Sequence, residues 1–258
     1  MIPTLAFDIE TVPDVAGLRL LHGLDASLSD SEVAEFAFSR RRAQAGSDFL
    51  PLYLHRVVAI SCALREGDGF RVWSLGSESE GEAELIRRFF DGVEKYTPQL
   101  VSWNGGGFDL PVLNYRALAH GLCAPRYWDL GEDDREFRFN NYINRFHMRH
   151  LDLMDVLSMY QARASAPLDE MAKLCGFPGK LGMDGSAVWA AWRSGGIAGI
   201  RNYCETDVAN TYLLFIRFQR MRGIFDQARY AQECALVRST LARASEPHWK
   251  EFLDAWPA

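Results

Sequence analysis

A surplus of positive charge is missing from this sequence. Its 28 Lys and Arg stand against 34 Asp and Glu, a net charge of −6 over 258 residues. That balance excludes a chain that grips nucleic acid through bulk positive charge. It leaves open a local basic groove, or a carboxylate cluster that needs metal ions. Paired cysteine spacing is missing too. Cys62, Cys123, Cys175, Cys204 and Cys234 are scattered with no CxxC, which fits reduced thiols and excludes a disulfide framework or a thiolate zinc site. No apolar run approaches the ~18 residues that span a bilayer. The start, MIPTLAFDIETVPD, has neither the basic residues nor the long apolar stretch of a signal peptide. The expectation is a cytoplasmic protein with no membrane partner. Repeats and low-complexity tracts are absent, and 48% hydrophobic with 24% charged residues is ordinary for a folded domain.

What is present reads as strands early and helices late. Pro3 to Asp8 is a short apolar run that ends in acid, a buried strand with a carboxylate at its tip. Val15 to Phe49 breaks the pattern as an inserted excursion, with a helix capped at Ser29 or Ser31. Leu54–Leu64 and Phe70–Leu75 flank Glu66-Gly67-Asp68-Gly69 as a hairpin. Helical spacing follows over Glu82–Tyr96, then a strand over Leu100–Trp103 and a helix over Phe108–His120. Pro125–Arg149 is irregular. Beyond it helices are expected over Leu151–Ala162, Pro167–Cys175, Ala187–Trp192, Gly199–Met221 and Asp226–Leu241. An α/β fold with a helical C-terminal half follows. No linker divides it, so one domain over 1–258 is expected, with a core to about residue 220 and a helical extension over 221–258.

Three patches place a carboxylate near an element end. In Phe7-Asp8-Ile9-Glu10-Thr11 the two acids are two apart, so a strand turns both to one side. Like charges that close repel by roughly 4 kcal/mol at about 4 Å and an effective dielectric of about 20. In Ser102-Trp103-Asn104-Gly105-Gly106-Gly107-Phe108-Asp109 a strand runs into three glycines, and Asp109 opens a helix. A dinucleotide fingerprint fails there, because Leu110 stands where GxGxxG needs glycine. In Tyr203-Cys204-Glu205-Thr206-Asp207 the tyrosine and the last acid are i and i+4 on one helix face. Taken singly, each patch reads equally well as solvated acids or a helix-capping charge. Together, four carboxylates and a tyrosine from three elements are what two divalent cations require. Hard oxygen ligands suit Mg²⁺ or Mn²⁺, and two such ions about 3.5–4 Å apart serve phosphodiester cleavage.

FDIET, N-GGG-FD and YCETD resemble, as a set, the three motifs of DEDD-type 3′–5′ exonucleases, and YxxxD is the tyrosine (DEDDy) form of the third. The wider chain, with HRVVAIS, RHLDLMD and IRNYCETDVANTYLL, is most similar to a stand-alone bacterial family related to the exonuclease domain of family-B DNA polymerases. The resemblance runs over residues 2 to about 220. It implies a ribonuclease-H-like mixed sheet flanked by helices. It implies that Asp8, Glu10, Asp109 and Asp207 ligate two Mg²⁺ or Mn²⁺ ions, and that Tyr203 orients the attacking water. Thr11, Asn104 and Phe108 match positions that hold the 3′-terminal nucleotide.

Other residues admit two readings each. Arg135, Arg138, Arg145 and Arg149 stand against Glu136 alone, a local +3 interleaved with Phe137, Phe139, Tyr142 and Phe146. That suits a single strand, since stacking contributes ~1–3 kcal/mol per base; it equally suits a loop whose rings cover the core. Arg145, Arg149 and His150 are the substrate candidates, with a helix-entry hydrogen bond the alternative for His150. Asp152 and Asp155 read as a structural pair at a helix start. The expected activity is exonucleolytic release of 5′-mononucleotides from the 3′ end of a single strand, DNA favoured over RNA. The alternatives are an exoribonuclease with the same chemistry and a non-catalytic nucleic-acid-binding module.

Overall fold

Alternating side chains along β1 (Thr4–Pro13) divide the molecule in two. Leu5, Phe7 and Ile9 pack to one side of the sheet, while Ala6 joins the cluster on the other, as the two-residue period of a strand requires. Our computed structural model describes residues 2–257. Its sheet adds β2 (His55–Glu66), β3 (Gly69–Ser74), β4 (Gln99–Ser102) and β5 (His150–Asp152), in the order β3-β2-β1-β4-β5. β1 pairs antiparallel with β2 and parallel with β4; β2–β3 is antiparallel and β4–β5 parallel. A mixed five-stranded sheet with flanking helices is the α/β fold that the sequence predicts, in the ribonuclease-H-like form that its family resemblance implies.

The helices are α1 (Val15–His22), α2 (Asp30–Ala45), α3 (Glu82–Tyr96), α4 (Asp109–His120), α5 (Pro125–Trp128), α6 (Leu153–Leu157), α7 (Leu168–Leu174), α8 (Val188–Arg193), α9 (Ile197–Met221), α10 (Gln227–Leu241) and α11 (Pro247–Ala255). α3 and α4 cover the Leu5 face of the sheet. α9 covers the Ala6 face, with α7, α10 and α11 packed outside it through Phe177, Trp249, Phe252 and Trp256. From Thr206 to Ile216 every residue of α9 is buried, the mark of a helix enclosed on all sides. Among the described residues no helix is long and apolar enough to cross a membrane.

Two expectations change. β1 runs five residues past Asp8, so Asp8 and Glu10 sit inside the strand instead of at its tip. Residues 150–152 form the edge strand β5, and helix follows only over Leu153–Leu157. Asp152 caps that helix, and Met159 and Tyr160, both at positive φ, end it early. The α2 cap falls on Ser29, whose hydroxyl accepts from the Glu32 amide while Glu32 accepts from the Ser29 amide.

A buried ion network ties α4 to the rest of the fold. Arg116 donates to both oxygens of Glu82 at 2.8 and 2.6 Å and to Asp14 at 2.5 Å. Glu82 also accepts from the Val57 amide at 2.7 Å and touches His120 at 2.8 Å. Strand β2, the α1 cap and helices α3 and α4 thus meet on the Glu82–Arg116 pair. Removing one member of a buried pair leaves the other charge uncompensated. Glu82→Ala is therefore expected to cost about 3–5 kcal/mol in chemical denaturation, and Arg116→Ala with Glu82→Ala together less than the sum of the two.

Candidate active site

Strand parity turns Asp8 and Glu10 toward α9, because both share the face of Ala6. A bulge between Glu10 and Thr11 breaks the register beyond them. From the opposite edge, the Asp109 carboxylate reaches the gap between the two acids and accepts the Ile9 amide at 3.1 Å. Asp207 arrives from the buried centre of α9, with Tyr203 one turn earlier. The structure therefore brings the four carboxylates and the tyrosine of the three patches into one corner.

The glycine turn that delivers Asp109 is tightly held. A Cβ on Gly105 would stand 2.3 Å from Ser102 Oγ, so only glycine fits there. Asn104 takes the left-handed conformation, φ 67°. Asp152 accepts the amides of Asn104 at 2.9 Å and Gly106 at 2.8 Å, besides capping α6. The spacing alone assigned Asp152 to Asp155. Its larger contact is across the chain, to the turn that carries a candidate ligand.

Lys180 is a site residue that no sequence pattern announces. It stands on the loop between α7 and α8, its Nζ 3.0 Å from Asp207 Oδ2 and in close contact with the Tyr203 hydroxyl. A single lysine on an irregular segment has no periodicity or paired motif to mark it. Cys204 was likewise unassigned. Its Sγ lies 3.4 Å from the Asp8 carbonyl and 3.5 Å from Asp8 Oδ2. Donor atoms of Asp8, Glu10 and Cys204 all fall within 4.8 Å of one another.

Electrostatics set the character of the corner. Burial first, then the charges of Asp109 and Asp207, hold Asp8 well above the usual carboxylate range. Glu10 is raised by burial and by Asp8 and Asp207. Burial also raises Asp207 against the pull of Lys180, and pushes Asp109 up to about 7. Burial lowers Lys180, but Asp207, Asp8 and Glu10 outweigh it and keep the ammonium charged. The Tyr203 phenol is held protonated by burial and by the same carboxylates. Four acids against one ammonium leave a deficit of cations. Asp207 Oδ1 is buried with no hydrogen-bond partner among the described residues, a lone pair that a cation would satisfy. An all-carboxylate donor set of this kind fits a hard divalent ion. Asp8, Glu10, Asp109 and Asp207 are the residues that could hold it.

The expected substrate contacts are distributed less evenly. Asn104, Arg145 and His150 line a cleft of about 1190 Å³ together with Asp8, Lys180 and Asp207. Arg145 is pinned at the rim by a bidentate bond to Asp155, at 2.7 and 2.6 Å. His150 bonds Ser102 Oγ at 2.8 Å, and burial lowers its pKa to about 4, so it is a neutral hydrogen-bond partner. Thr11 bonds His55 at 2.9 Å, and His55 packs edge-on against Phe108, itself beside Phe49. Arg149 is turned away from the cleft. It is 7% exposed, lies 4.5 Å from the Phe137 ring and donates to the Asn140 carbonyl at 3.1 Å. A guanidinium on a buried aromatic face packs the loop and does not face a strand, which corrects its assignment as a substrate contact.

Asp109 makes the metal-free corner sensitive to pH. Its folded pKa lies near 7 and its ordinary value is 3.8, so between those limits the unfolded chain has lost the proton and the folded one keeps it. Stability from this group is therefore full at low pH and falls as pH climbs through the window. The thermal midpoint of chelated protein is expected to fall between about pH 4 and about pH 7, and Asp109→Asn to flatten the fall. A midpoint that rises across that range in the unsubstituted protein would refute the burial of this carboxylate.

No curated protein matches the chain. The family described as "Predicted 3'-5' exonuclease related to the exonuclease domain of PolB" matches residues 47–256, well over half of the sequence. Asp109, Tyr203 and Asp207 lie inside that match, while Asp8 and Glu10 precede it and are joined to it by the sheet. The mixed sheet, the acidic corner and the extent of the match together make the chain a member of this family of predicted 3′–5′ exonucleases related to the exonuclease domain of PolB.

Proposed function

We propose that the protein is a DEDDy-type exonuclease that removes 5′-mononucleotides from the 3′ end of single-stranded DNA, with two Mg²⁺ or Mn²⁺ ions at the carboxylate corner. The observation that carries this reading is the convergence of Asp8, Glu10, Asp109 and Asp207 in one buried corner, where an Asp207 oxygen has no partner among the described residues. Bound there, two divalent ions would supply a nucleophilic water and stabilise the leaving oxygen. The residues themselves have distinct tasks. Asp8, Glu10, Asp109 and Asp207 provide the ligand oxygens. Tyr203, protonated and within reach of Lys180, donates a hydrogen bond that orients the attacking water. Lys180 offsets negative charge at Asp207 in the resting protein and is placed to meet a scissile phosphate. Asp152 holds the turn of Asn104 and Gly106, against which the terminal nucleotide would rest, with Thr11 and Phe108 as further contacts.

The cleft supports an extended substrate. Its volume of about 1190 Å³ exceeds the ~300–1,000 Å³ of sites for drug-sized ligands. Trp103, Tyr127, Trp128 and Tyr160 among its walls suit unstacked bases, and Arg145 at the rim suits backbone phosphate. DNA is preferred to RNA as the proposed substrate, in one domain of 1–258 whose C-terminal helices share the core of α9. Five free cysteines agree with a reducing, cytoplasmic setting.

The test is a strand labelled at its 5′ end and incubated with Mg²⁺ or Mn²⁺. Progressive shortening from the 3′ end with release of 5′-mononucleotide is expected. No shortening of DNA or RNA with either ion would remove the enzyme reading and leave a binding module. Asp8→Ala and Asp207→Asn should each reduce the rate by at least about 10³-fold with the fold retained by circular dichroism, as loss of a metal-held transition state predicts. Tyr203→Phe should cost less, about 10–100-fold, because it deletes one orienting hydrogen bond. Equal losses in all three would refute the role given to Tyr203.

A further inference from the structure

The opposite face of the sheet carries a second cavity, of about 300 Å³, which shares no lining residue with the carboxylate cleft. Register explains its walls. Leu5 pairs with Leu64, Leu64 with Arg71 and Cys62 with Trp73, so all five side chains project toward α3. From α3, Arg88, Gly92, Lys95 and Tyr96 recur at i, i+4, i+7 and i+8 and answer them. The floor is apolar, formed by Leu5, Cys62, Leu64 and Phe89, and the mouth is basic and aromatic.

Two features of this groove are not accounted for by apolar packing. A Cβ on Gly92 would meet no atom within 4 Å, so packing does not demand glycine there. Mid-helix, it costs about 1 kcal/mol relative to alanine. Its effect is to leave the groove open where any side chain would reach into it. The second feature is charge. Arg88 is paired with Glu80 and Glu84, and Asp91 with Arg87. Among the described residues Arg71 and Lys95 have no carboxylate within ion-pair distance. They converge instead on one phenol. Arg71 donates to the Tyr96 hydroxyl at 3.1 Å and lies 4.6 Å from the Trp73 ring; Lys95 lies 4.7 Å from the Tyr96 ring. Hydrogen bonds from Lys95 and then Arg71 lower the pKa of that phenol.

We propose that this groove is a second nucleotide site, which takes a nucleoside monophosphate with its phosphate between Arg71 and Lys95 and its base on the apolar floor beside Trp73. A guanidinium and an ammonium with no acid partner call for an anion. An apolar slot of this volume, walled by indole and phenol rings, calls for a flat ring attached to it. Inorganic anions satisfy only the first requirement, and neutral aromatics only the second. A nucleotide satisfies both, either free or as the end of a strand. The site needs no turnover, so it stands or falls apart from the exonuclease reading.

The experiment uses the full chain with Asp8→Asn and Asp207→Asn, in chelator, so that the carboxylate cleft holds no metal-bound nucleotide. Equilibrium dialysis with labelled dAMP is expected to show saturable binding of one nucleotide per chain. Gly92→Leu, which fills the groove and improves the helix, should weaken binding at least about ten-fold without lowering the thermal midpoint. Arg71→Ala with Lys95→Ala should weaken it comparably. A pentanucleotide that binds no tighter than dAMP identifies the free nucleotide as occupant; one that binds about ten-fold tighter identifies a strand end. Absence of saturable dAMP binding at millimolar concentration, binding untouched by Gly92→Leu, or inorganic phosphate competing as well as dAMP would each overturn the proposal.

Discussion

Repulsion among buried carboxylates is the constraint on which the rest of this structure depends. Asp8, Glu10, Asp109 and Asp207 are each held above their ordinary pKa by burial, Asp8 and Glu10 also by the neighbouring acids, and Lys180 is the ammonium that opposes them. Any two of these charges at about 4 Å repel by roughly 4 kcal/mol at an effective dielectric of about 20. A loose scaffold would relax by letting the acids swing into water. This one denies them that freedom. Asp8 and Glu10 are fixed by the pleat of a central strand, Asp207 by a helix buried on all sides, and Asp109 by a glycine turn stapled to Asp152. The ion network at Glu82 and Arg116 then anchors the helix that Asp109 opens. The fold stores an electrostatic cost that the proposed divalent cations would relieve.

Much of that corner was legible because it depends on local periods. A two-residue spacing on a strand places Asp8 and Glu10 on one side, and a four-residue spacing on a helix places Tyr203 above Asp207. Lys180 has no such mark. It lies on an irregular loop, and its neighbours in space are 23 and 27 residues away along the chain. Asp152 was read by its nearest acid, although its decisive partners, Asn104 and Gly106, come from another strand connection. Tertiary partners of that kind leave no trace in composition.

The aromatic and basic loop makes the same point from a single segment. Arg145 and Arg149 are one helical turn apart in number and carry the same charge. Arg145 reaches the rim of the cleft and pairs with Asp155, while Arg149 is sealed onto Phe137 and Tyr142. Interleaved rings and guanidiniums stack equally well on bases and on each other. Which partner each one takes is decided by the side of the loop it faces. In an irregular segment no period fixes that side. For the same reason Leu151 and Asp152, too few to show an alternation, fall at the start of the expected helix, whereas with His150 they complete the sheet.

Strand parity also resolves the net charge of −6 into two opposed fields. On the α9 face, Asp8 and Glu10 meet two further carboxylates and one lysine. On the α3 face, Arg71 shares its side of the sheet with Leu5 and Leu64 and joins Lys95 over Tyr96, with no carboxylate partner among the described residues. A shift of one residue in register would carry the acids to the α3 face and the arginine to the other, and each would meet its opposite charge. The register observed keeps them apart, with a layer of apolar side chains between. Each face is thus left in need of a ligand of opposite sign, cations on one and an anion on the other. In the proposed reaction a polyanion cut to anionic mononucleotides with the help of cations brings both kinds of ligand, and the segregation of charge across the sheet suits that chemistry.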